Sequence, residues 1–256
     1  MMLTVLGCSG SMSGPDSPAS GYLLTADGNR LVLDLGNGTL GPLQRFATPF
    51  QIDALAFSHL HADHCADVPT LAVHLRYHPD PPDDATPRPL PVHAPSGAAD
   101  RFAALYAVDD TELAETDLSD VFAFHPLPAE PTDVVGFTVT AARVDHPCEA
   151  YGIRVERDGR SLCYTGDSGP CEALVRLADG VDTLLSEASW TDRSDREQHL
   201  HMSGRQAGEL AAKAGVGRLV VTHVMPWTDK TAVLAEARSA FPGDIVLAES
   251  GAEYQI

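Results

Sequence analysis

Short apolar runs separated by turns dominate the first part of the chain. Each run is a few residues long and rich in leucine, valine or isoleucine, a composition that favours β-strands. They predict strands over residues 3–6, 21–25, 31–34 and 52–58. A stripe of apolar residues at helical spacing then predicts a helix over residues 65–77, and a second helix follows over residues 97–108.

Residues 78–91, between these two helices, are rich in proline and aspartate. This composition predicts a loop, since proline and aspartate interrupt both helices and strands. Such a loop could act as a lid over a site or simply connect two elements through solvent. The sequence leaves both interpretations open.

Strands and helices alternate along the second half. Strands are predicted over residues 137–144, 150–156, 161–164, 183–186 and 218–222, and helices over residues 170–177, 204–214 and 231–240. Many strands early, helices between the later ones and the lack of a linker-like stretch predict an α/β fold. We therefore expect residues 1–256 to form one domain, with its sheets covered by helices.

The composition narrows the classes of partner. Of the 256 residues, 44% are hydrophobic, enough for a sizeable core, and the formal net charge is −19. An acidic surface repels phosphate backbones at long range, which argues against a polynucleotide partner. A small phosphorylated substrate remains compatible, because bound metal ions reverse the sign of the local charge.

Cysteine content and hydropathy indicate the cellular location. The chain has five cysteines, an odd number without paired metal-type spacing, which favours free thiols in a reducing compartment. The apolar runs are all shorter than a membrane-spanning helix requires. We expect a cytoplasmic protein without a membrane partner.

The strongest chemical signal is the segment Ser58-His59-Leu60-His61-Ala62-Asp63-His64. It follows a predicted strand and precedes a predicted helix. Neutral imidazoles and a carboxylate are the ligands expected for zinc and neighbouring first-row metals. A solvated loop that carries several histidines by coincidence is the weaker alternative.

Three more candidate ligands each follow a predicted strand. His146 comes after the strand over residues 137–144, Asp167 after the strand ending at residue 164, and His223 after the strand ending at residue 222. A rigid sheet presents chemistry on the loops beyond its strand ends. Each residue alone could be structural, but together they fit one site.

This order of ligands resembles that of the metallo-β-lactamase superfamily, and the resemblance spans almost the whole chain. It implies a four-layer αββα sandwich with two divalent metal ions at one edge of the sheets. It also implies that His59, His61 and His146 hold the first metal and that Asp63, His64 and His223 hold the second, with Asp167 bridging both. Imidazole-rich ligation favours Zn²⁺, whereas Mn²⁺ or Fe²⁺ would also suit the carboxylates.

Two further segments resemble the ribonuclease Z branch of this superfamily. They are Glu187-Ala188-Ser189 after a strand and His201-Met202-Ser203-Gly204 before a helix. In that branch a histidine before a helix assists the leaving group, which makes His201 the candidate general acid or oxyanion stabiliser and Glu187 its candidate orienting partner. A helix-start residue and an ordinary acid are the alternatives for these two.

Other residues receive different roles from the sequence. Asp63 is also a candidate catalytic residue, because a ligand beside a hydroxide shared by two metals can orient it or accept its proton. The remaining histidines are interpreted as structural; they are His74, His78, His93, His125 and His199.

Ribonuclease Z enzymes carry an arm that grips the body of the tRNA, inserted between the counterparts of His146 and Asp167. Here only residues 147–166 separate the two, which is enough for two strands and the turn Asp158-Gly159. The short spacing and the net charge of −19 predict that folded tRNA is not a substrate.

The remaining strings resemble bacterial cyclic-nucleotide phosphodiesterases of the same branch. They include Val5-Leu6-Gly7-Cys8-Ser9-Gly10-Ser11, Glu187-Ala188-Ser189-Trp190-Thr191 and Thr222-His223-Val224-Met225-Pro226-Trp227. The resemblance implies hydrolysis of a small phosphodiester, most simply a 3′,5′-cyclic nucleotide, in a protein expected to form homodimers. Trp190, Trp227 or Tyr77 could stack on a base, or could be ordinary core or surface residues.

Several alternatives remain open at this level. A ribonuclease or an arylsulfatase-like enzyme would keep the chemistry of anionic esters with another leaving group. A lactonase or thioesterase would use the same metals on a neutral carbonyl. A non-catalytic metal-binding module would be expected to have lost ligands, and all the expected ones are present.

Overall fold

The computed structural model describes residues 1–82 and 89–256. Its first sheet has seven strands in the spatial order β14-β1-β2-β3-β4-β5-β6. These are β1 (Met2–Gly7), β2 (Gly21–Ala26), β3 (Asn29–Leu35), β4 (Ala54–Ala56), β5 (Leu90–Ala94), β6 (Phe122–Pro126) and β14 (Glu253–Gln255). Strands β14 to β3 pair antiparallel, and β3 to β6 pair parallel.

The second sheet also has seven strands, in the order β13-β12-β11-β10-β9-β8-β7. These are β7 (Thr132–Val134), β8 (Phe137–Arg143), β9 (Tyr151–Arg157), β10 (Arg160–Tyr164), β11 (Thr183–Glu187), β12 (Arg218–Thr222) and β13 (Asp244–Leu247). Strands β7 to β10 pair antiparallel, and β10 to β13 pair parallel. The parallel strands present their carboxyl ends at one edge.

Helices fill the connections. They are α1 (Leu40–Leu43), α2 (Ala62–Cys65), α3 (Val68–Tyr77), α4 (Ala98–Tyr106), α5 (Asp110–Glu115), α6 (Glu172–Leu177), α7 (Gly204–Ala214) and α8 (Lys230–Ala240), with a 3₁₀ turn at Pro49–Gln51. Within the described ranges, none of them is both long and apolar enough to cross a membrane. The five cysteines are free thiols, as predicted.

The two sheets pack face to face. Tyr22 and Leu33 of the first sheet and Val155 and Leu185 of the second are buried in one hydrophobic cluster. Side chains alternate between the two faces of a strand, so the residues on the inner faces of both sheets form the central core.

Helices cover the outer face of each sheet. Leu71 of α3 and Phe102 of α4 pack with Leu55 of the first sheet. On the other side, Leu210 of α7 packs with Leu219 of the second sheet. The layers therefore run helix, sheet, sheet, helix, and the predicted αββα sandwich is confirmed.

The helix predicted over residues 65–77 corresponds to α3, which begins three residues later at Val68, whereas Cys65 ends the separate short helix α2. The boundary follows from Pro69, which has no amide hydrogen and is accommodated in the first turn of α3. Just before it, the Asp67 carboxylate accepts backbone N–H bonds from Gly38 at 2.9 Å and Leu40 at 2.8 Å. These bonds hold Asp67 in place between the end of α2 and the start of α3.

The predicted loop over residues 78–91 is wrong at its end, because Leu90 and Pro91 begin β5. Leu90, Val92 and Ala94 are buried in alternation, but the surrounding prolines conceal this pattern in the sequence. Residues 83–88 of the predicted loop lie outside the described residues. The sequence also does not predict the short strands β6, β7, β13 and β14 or the short helices α1 and α5, because each is only a few residues long.

Candidate metal centre

The predicted ligands come together beyond the strand ends of both sheets. His59 and His61 lie on the loop after β4, and Asp63 and His64 lie in the short helix α2. His146, Asp167 and His223 follow β8, β10 and β12. Since the two sheets are packed together, these loops meet at one edge of the sandwich.

The first cluster consists of His59, His61 and His146. Nδ1 of His61 lies 3.0 Å from Nε2 of His59 and 3.3 Å from Nε2 of His146. Three imidazole nitrogens that converge in this way cannot all be satisfied by hydrogen bonds to one another. Their arrangement is typical of nitrogen ligands around a single metal ion.

Asp167 lies between this cluster and a second one. Its Oδ1 is 3.2 Å from Nε2 of His64, and its Oδ2 is 3.3 Å from Nε2 of His223 and 3.7 Å from Nε2 of His59. Asp63 completes the second cluster, with Oδ2 3.5 Å from His64 Nε2. Asp167 therefore occupies the position expected of a bridging carboxylate.

Unsatisfied polar atoms indicate that the second cluster needs a cation. Nε2 of His64, Nε2 of His223 and Oδ1 of Asp167 are buried without a hydrogen-bond partner among the described residues. Burying such an atom unpaired costs about 1–3 kcal/mol. A divalent ion would satisfy all three, and imidazole with carboxylate is a suitable donor set for Zn²⁺, Mn²⁺ or Fe²⁺. The residues fit two such ions.

The charge states suit metal binding as well. Burial lowers the pKa of His59 and of His223, so both imidazoles are neutral and their lone pairs are free. Burial alone would raise the pKa of Asp167, but the histidines around it hold that pKa well below its usual range. His64 differs, because burial would lower its pKa but the carboxylates of Asp167 and Asp34 outweigh burial and raise it. A metal ion bound at His64 would replace that proton, since an imidazole binds a metal in its neutral form.

Hydrogen bonds from Nδ1 orient four of the imidazoles. Each Nδ1–H donates to an oxygen, which places the proton there and leaves Nε2 facing the centre. The pairs are His59 with Ser58 Oγ at 3.1 Å, His64 with Asp34 Oδ2 at 2.7 Å, His146 with Leu200 O at 2.9 Å and His223 with Ser20 Oγ at 2.8 Å.

Asp34 is a site residue that the sequence interpretation missed. Its buried carboxylate accepts hydrogen bonds from His64, from both the amide and the hydroxyl of Ser58 at 2.7 Å, and from the Tyr164 hydroxyl at 2.7 Å. Because Ser58 in turn accepts from His59, one carboxylate orients a histidine of each cluster. The available signal was an aspartate at the end of an apolar strand, which is an unusual place for a buried charge.

His201 and Glu187 form a buried pair beside the centre. Nδ1–H of His201 donates to Glu187 Oε1 at 3.0 Å and lies 3.8 Å from Asp167 Oδ2. Burial lowers the pKa of His201, but the adjacent Glu187 charge and its hydrogen bond outweigh this effect and raise the pKa to about 9. His201 is therefore protonated at neutral pH.

Glu187 is fixed by further hydrogen bonds. Its Oε1 also accepts from the Ser168 amide at 2.8 Å, and its Oε2 accepts from the Ser189 hydroxyl at 2.8 Å. Glu187, His201 and Asp167 are close enough to hold a metal among themselves. The hydrogen bonds already made by both carboxylate oxygens of Glu187 favour an orienting role instead.

The three aromatic candidates for base stacking have different environments. Trp190 is buried, and its ring packs edge-on against His201 with centroids 5.1 Å apart. Trp227 and Tyr77 are exposed. Trp190 therefore packs against His201 and has no exposed ring face on which a base could stack.

Residues 29–224 match the sequence profile of the family described as the beta-lactamase superfamily domain. The chain belongs to the beta-lactamase superfamily. An uncharacterized Mycobacterium leprae protein is 46% identical over 99% of this chain and 88% of its own length. Ribonuclease Z of the archaeon Halorubrum lacusprofundi is 28% identical over 98% of this chain and 96% of its own length.

A solved structure of the superfamily agrees with the fold. YhfI from Bacillus subtilis, a metallo-β-lactamase fold protein, superposes with a TM-score of 0.84 at 25% identity, covering 99% of this chain and 98% of its own. The similarity to ribonuclease Z confirms the predicted ribonuclease Z-like branch. Membership of this superfamily, with the cluster of histidines and aspartates, identifies a metallo-hydrolase.

Proposed function

We propose that this metallo-hydrolase is a phosphodiesterase with two metal ions, acting on a small phosphodiester and foremost on a 3′,5′-cyclic nucleotide. The observation that carries the proposal is the buried His201–Glu187 pair beside the clusters, with His201 Nδ1 3.8 Å from Asp167 Oδ2. A protonated histidine held at a metal centre suits an ester whose leaving group must be protonated.

The chain supplies two sets of ligands that share Asp167. His59, His61 and His146 would hold one ion. Asp63, His64 and His223 would hold the other. When bound, two divalent ions supply positive charge that neutralises a phosphodiester and acidifies water at the site. A phosphodiester gains more from this charge than a neutral carbonyl ester, because an anionic group must be screened before a nucleophile can approach.

His201 provides the acid. Since Nδ1 is held by Glu187, Nε2 is the ring nitrogen left to face a substrate, and it carries a proton at neutral pH because the pKa of His201 is raised to about 9. Departure of a ribose 3′-alkoxide then proceeds with proton transfer from Nε2. The packing of Trp190 against the ring keeps it in this orientation.

Asp63 provides the base. Its side chain is 13% exposed, against 3% for Asp167, so it is the more accessible carboxylate of the centre. It can orient the attacking water or accept its proton while Asp167 stays between the clusters. Acid and base are thereby assigned to separate residues.

The size and charge of the protein favour a small substrate. All of residues 147–166 are described, and they form strands β9 and β10 joined at Asp158-Gly159, without a protruding arm. The formal net charge of −19 opposes a folded polynucleotide. A compact nucleotide requires neither an arm nor a basic surface.

The test is hydrolysis of 3′,5′-cyclic AMP by protein reconstituted with Zn²⁺ or Mn²⁺, with a chelator-treated control. We expect metal-dependent release of 5′-AMP. Cleavage of bis(p-nitrophenyl) phosphate without cleavage of cyclic nucleotides would retain the phosphodiesterase and reject the cyclic substrate. Turnover of lactones or thioesters in place of phosphodiesters would overturn the proposal.

A further inference from the structure

Three consecutive residues, 199–201, each form a hydrogen bond at or beside the metal centre. His199 Nδ1–H donates to Asp145 Oδ2 at 2.6 Å, and the Leu200 carbonyl accepts from His146 Nδ1 at 2.9 Å. His201 then reaches Glu187. This 199–201 segment therefore links the loop that carries His146 to the candidate general acid.

The Leu200 carbonyl has a chemical role in this link. It is the acceptor that holds the proton of His146 on Nδ1 and so leaves Nε2 to the first cluster. Unlike Ser20, Ser58 and Asp34, which orient the other histidines through side chains, this acceptor is a backbone atom. Its position therefore depends entirely on the path of the 199–201 segment.

The backbone at His199 is held in an uncommon conformation. Its φ is +64°, in the left-handed region that a non-glycine residue adopts when surrounding contacts enforce it. One contact is the hydrogen bond to Asp145. The other is close packing on Gly169, where a Cβ would come within 2.9 Å of the His199 Cα. Gly169 is itself anchored, since its amide donates to the Asp145 carbonyl at 2.7 Å.

The position of Asp145 makes the contact specific to the centre. Asp145 immediately precedes His146. Its backbone amide donates a hydrogen bond to Ser168 Oγ at 3.2 Å, which holds the loop in place. Ser168 follows the bridging candidate Asp167 and donates its amide to Glu187. His199 therefore donates to Asp145, which is adjacent in sequence to the ligand His146. Through Ser168, Asp145 is also linked to Asp167 and to Glu187, the partner of His201.

We propose that His199 is a positioning residue for the metal centre. Its imidazole holds Asp145 while its left-handed backbone turns the next carbonyl toward His146 and the following side chain toward Glu187. The 199–201 segment thereby fixes the orientation of both His146, a ligand of the first metal site, and His201, the candidate general acid. The role in turnover rests on the proposed phosphodiesterase, whereas the role in metal affinity does not.

The test compares three substitutions at this position. His199→Ala removes the hydrogen bond and keeps the backbone strain, His199→Gly removes both, and His199→Asn retains an N–H donor and tolerates a left-handed backbone. Arg193→Ala is the matched control, because Arg193 forms an exposed pair with Asp195 at 2.8 Å in the same loop.

Zinc dissociation constants, measured by competition with a chromogenic chelator, are the first readout. We expect His199→Ala and His199→Gly to weaken one of the two sites by about tenfold, the range seen when a partner of a metal-binding histidine is lost. His199→Asn and Arg193→Ala should bind zinc like the unaltered protein. His223→Ala lacks a ligand of the second cluster. If adding His199→Ala to this variant weakens zinc binding by the same factor, the weakened site is the first one.

Turnover of bis(p-nitrophenyl) phosphate is the second readout, and kcat should fall in His199→Ala with little change in KM. Unchanged zinc binding in the alanine and glycine variants would overturn the proposal. The proposal would also be overturned if His199→Gly bound zinc like the unaltered protein, or if Arg193→Ala lost as much zinc affinity as His199→Ala. Failure of the unaltered, zinc-loaded protein to cleave any phosphodiester would reject the proposed function, while the zinc constants would still decide the role of His199.

Discussion

The Asp34 carboxylate accepts a 2.7 Å hydrogen bond from Nδ1 of His64, and both side chains are fully buried. Asp34 adopts a positive φ of 56°, an unusual backbone conformation for a residue at the end of a strand. Its remaining hydrogen bonds go to Ser58 and Tyr164. A buried charge in a strained position persists only where the surroundings require it, and here the requirement is the orientation of metal ligands.

Replacing this carboxylate tests that relationship. We expect Asp34→Asn to weaken zinc binding by about 10–100-fold, because an amide is a poorer acceptor for His64 and forces one donor to lose its partner. Chelator competition measures the change. Asp53→Asn is the control, since Asp53 also accepts a strand amide, from Arg30 at 2.8 Å, but lies outside the centre. Equal zinc affinity in both variants would contradict the assigned role.

Asp167 and His64 should be indispensable for turnover. Asp167→Ala removes the oxygens that face three histidines, and His64→Ala removes a ligand of the second cluster. We expect either variant to lose measurable hydrolysis while its far-ultraviolet circular dichroism stays close to that of the unaltered protein. Activity close to that of the unaltered protein in either variant would contradict the assignment of the site.

The acid role of His201 predicts a dependence on the leaving group. For a cyclic nucleotide, His201→Gln should lower kcat by about 10²–10⁴-fold, because the alkoxide leaves without a proton. For bis(p-nitrophenyl) phosphate the loss should be much smaller, since p-nitrophenolate needs no proton to depart. Similar losses on both substrates, at unchanged zinc content, would show that His201 is structural.

Metal binding should stabilise the fold, because it satisfies buried atoms of His64, Asp167 and His223 that have no hydrogen-bond partner in the described part of the chain. Zinc at a hundred times its dissociation constant contributes about 2.7 kcal/mol per site. For a domain of this size that corresponds to a rise in Tm of about 5–10 °C. Differential scanning fluorimetry should show the rise in the unaltered protein, and Asp167→Asn should abolish most of it.

A carboxylate outside the centre predicts part of the pH dependence of stability. Burial would raise the pKa of Asp182, but hydrogen bonds from the amide and hydroxyl of Ser161, both 2.8 Å, outweigh burial and lower that pKa. The folded state therefore binds fewer protons at this group than the unfolded state. Its stabilisation is complete above the ordinary aspartate pKa and is lost as pH falls through the lowered value.

Urea denaturation of Asp182→Asn at several pH values measures this contribution. The variant should be less stable than the unaltered protein at pH 6, and the difference should shrink toward pH 3. A difference that stays constant over this range would show that Asp182 acts through packing rather than through its charge.

The sequence by itself determined the chemistry of the centre and most of the regular elements. His59, His61, Asp63 and His64 are close in sequence, so their spacing is visible without any tertiary contact. Strands such as β1 and β12 and helices such as α7 and α8 have a clear hydrophobic period, which is a local property. The resemblance carried by the ligands then supplied the αββα architecture.

Only the tertiary structure decided how the ligands are held. Asp34 reaches His64 and Tyr164 across both sheets, and His199 reaches Asp145 from a distant loop. The short strands β6, β7, β13 and β14 likewise exist because neighbouring strands pair with them. Contacts of this kind depend on the packing of segments far apart in the chain, and a single sequence records no signal for which distant partners will meet.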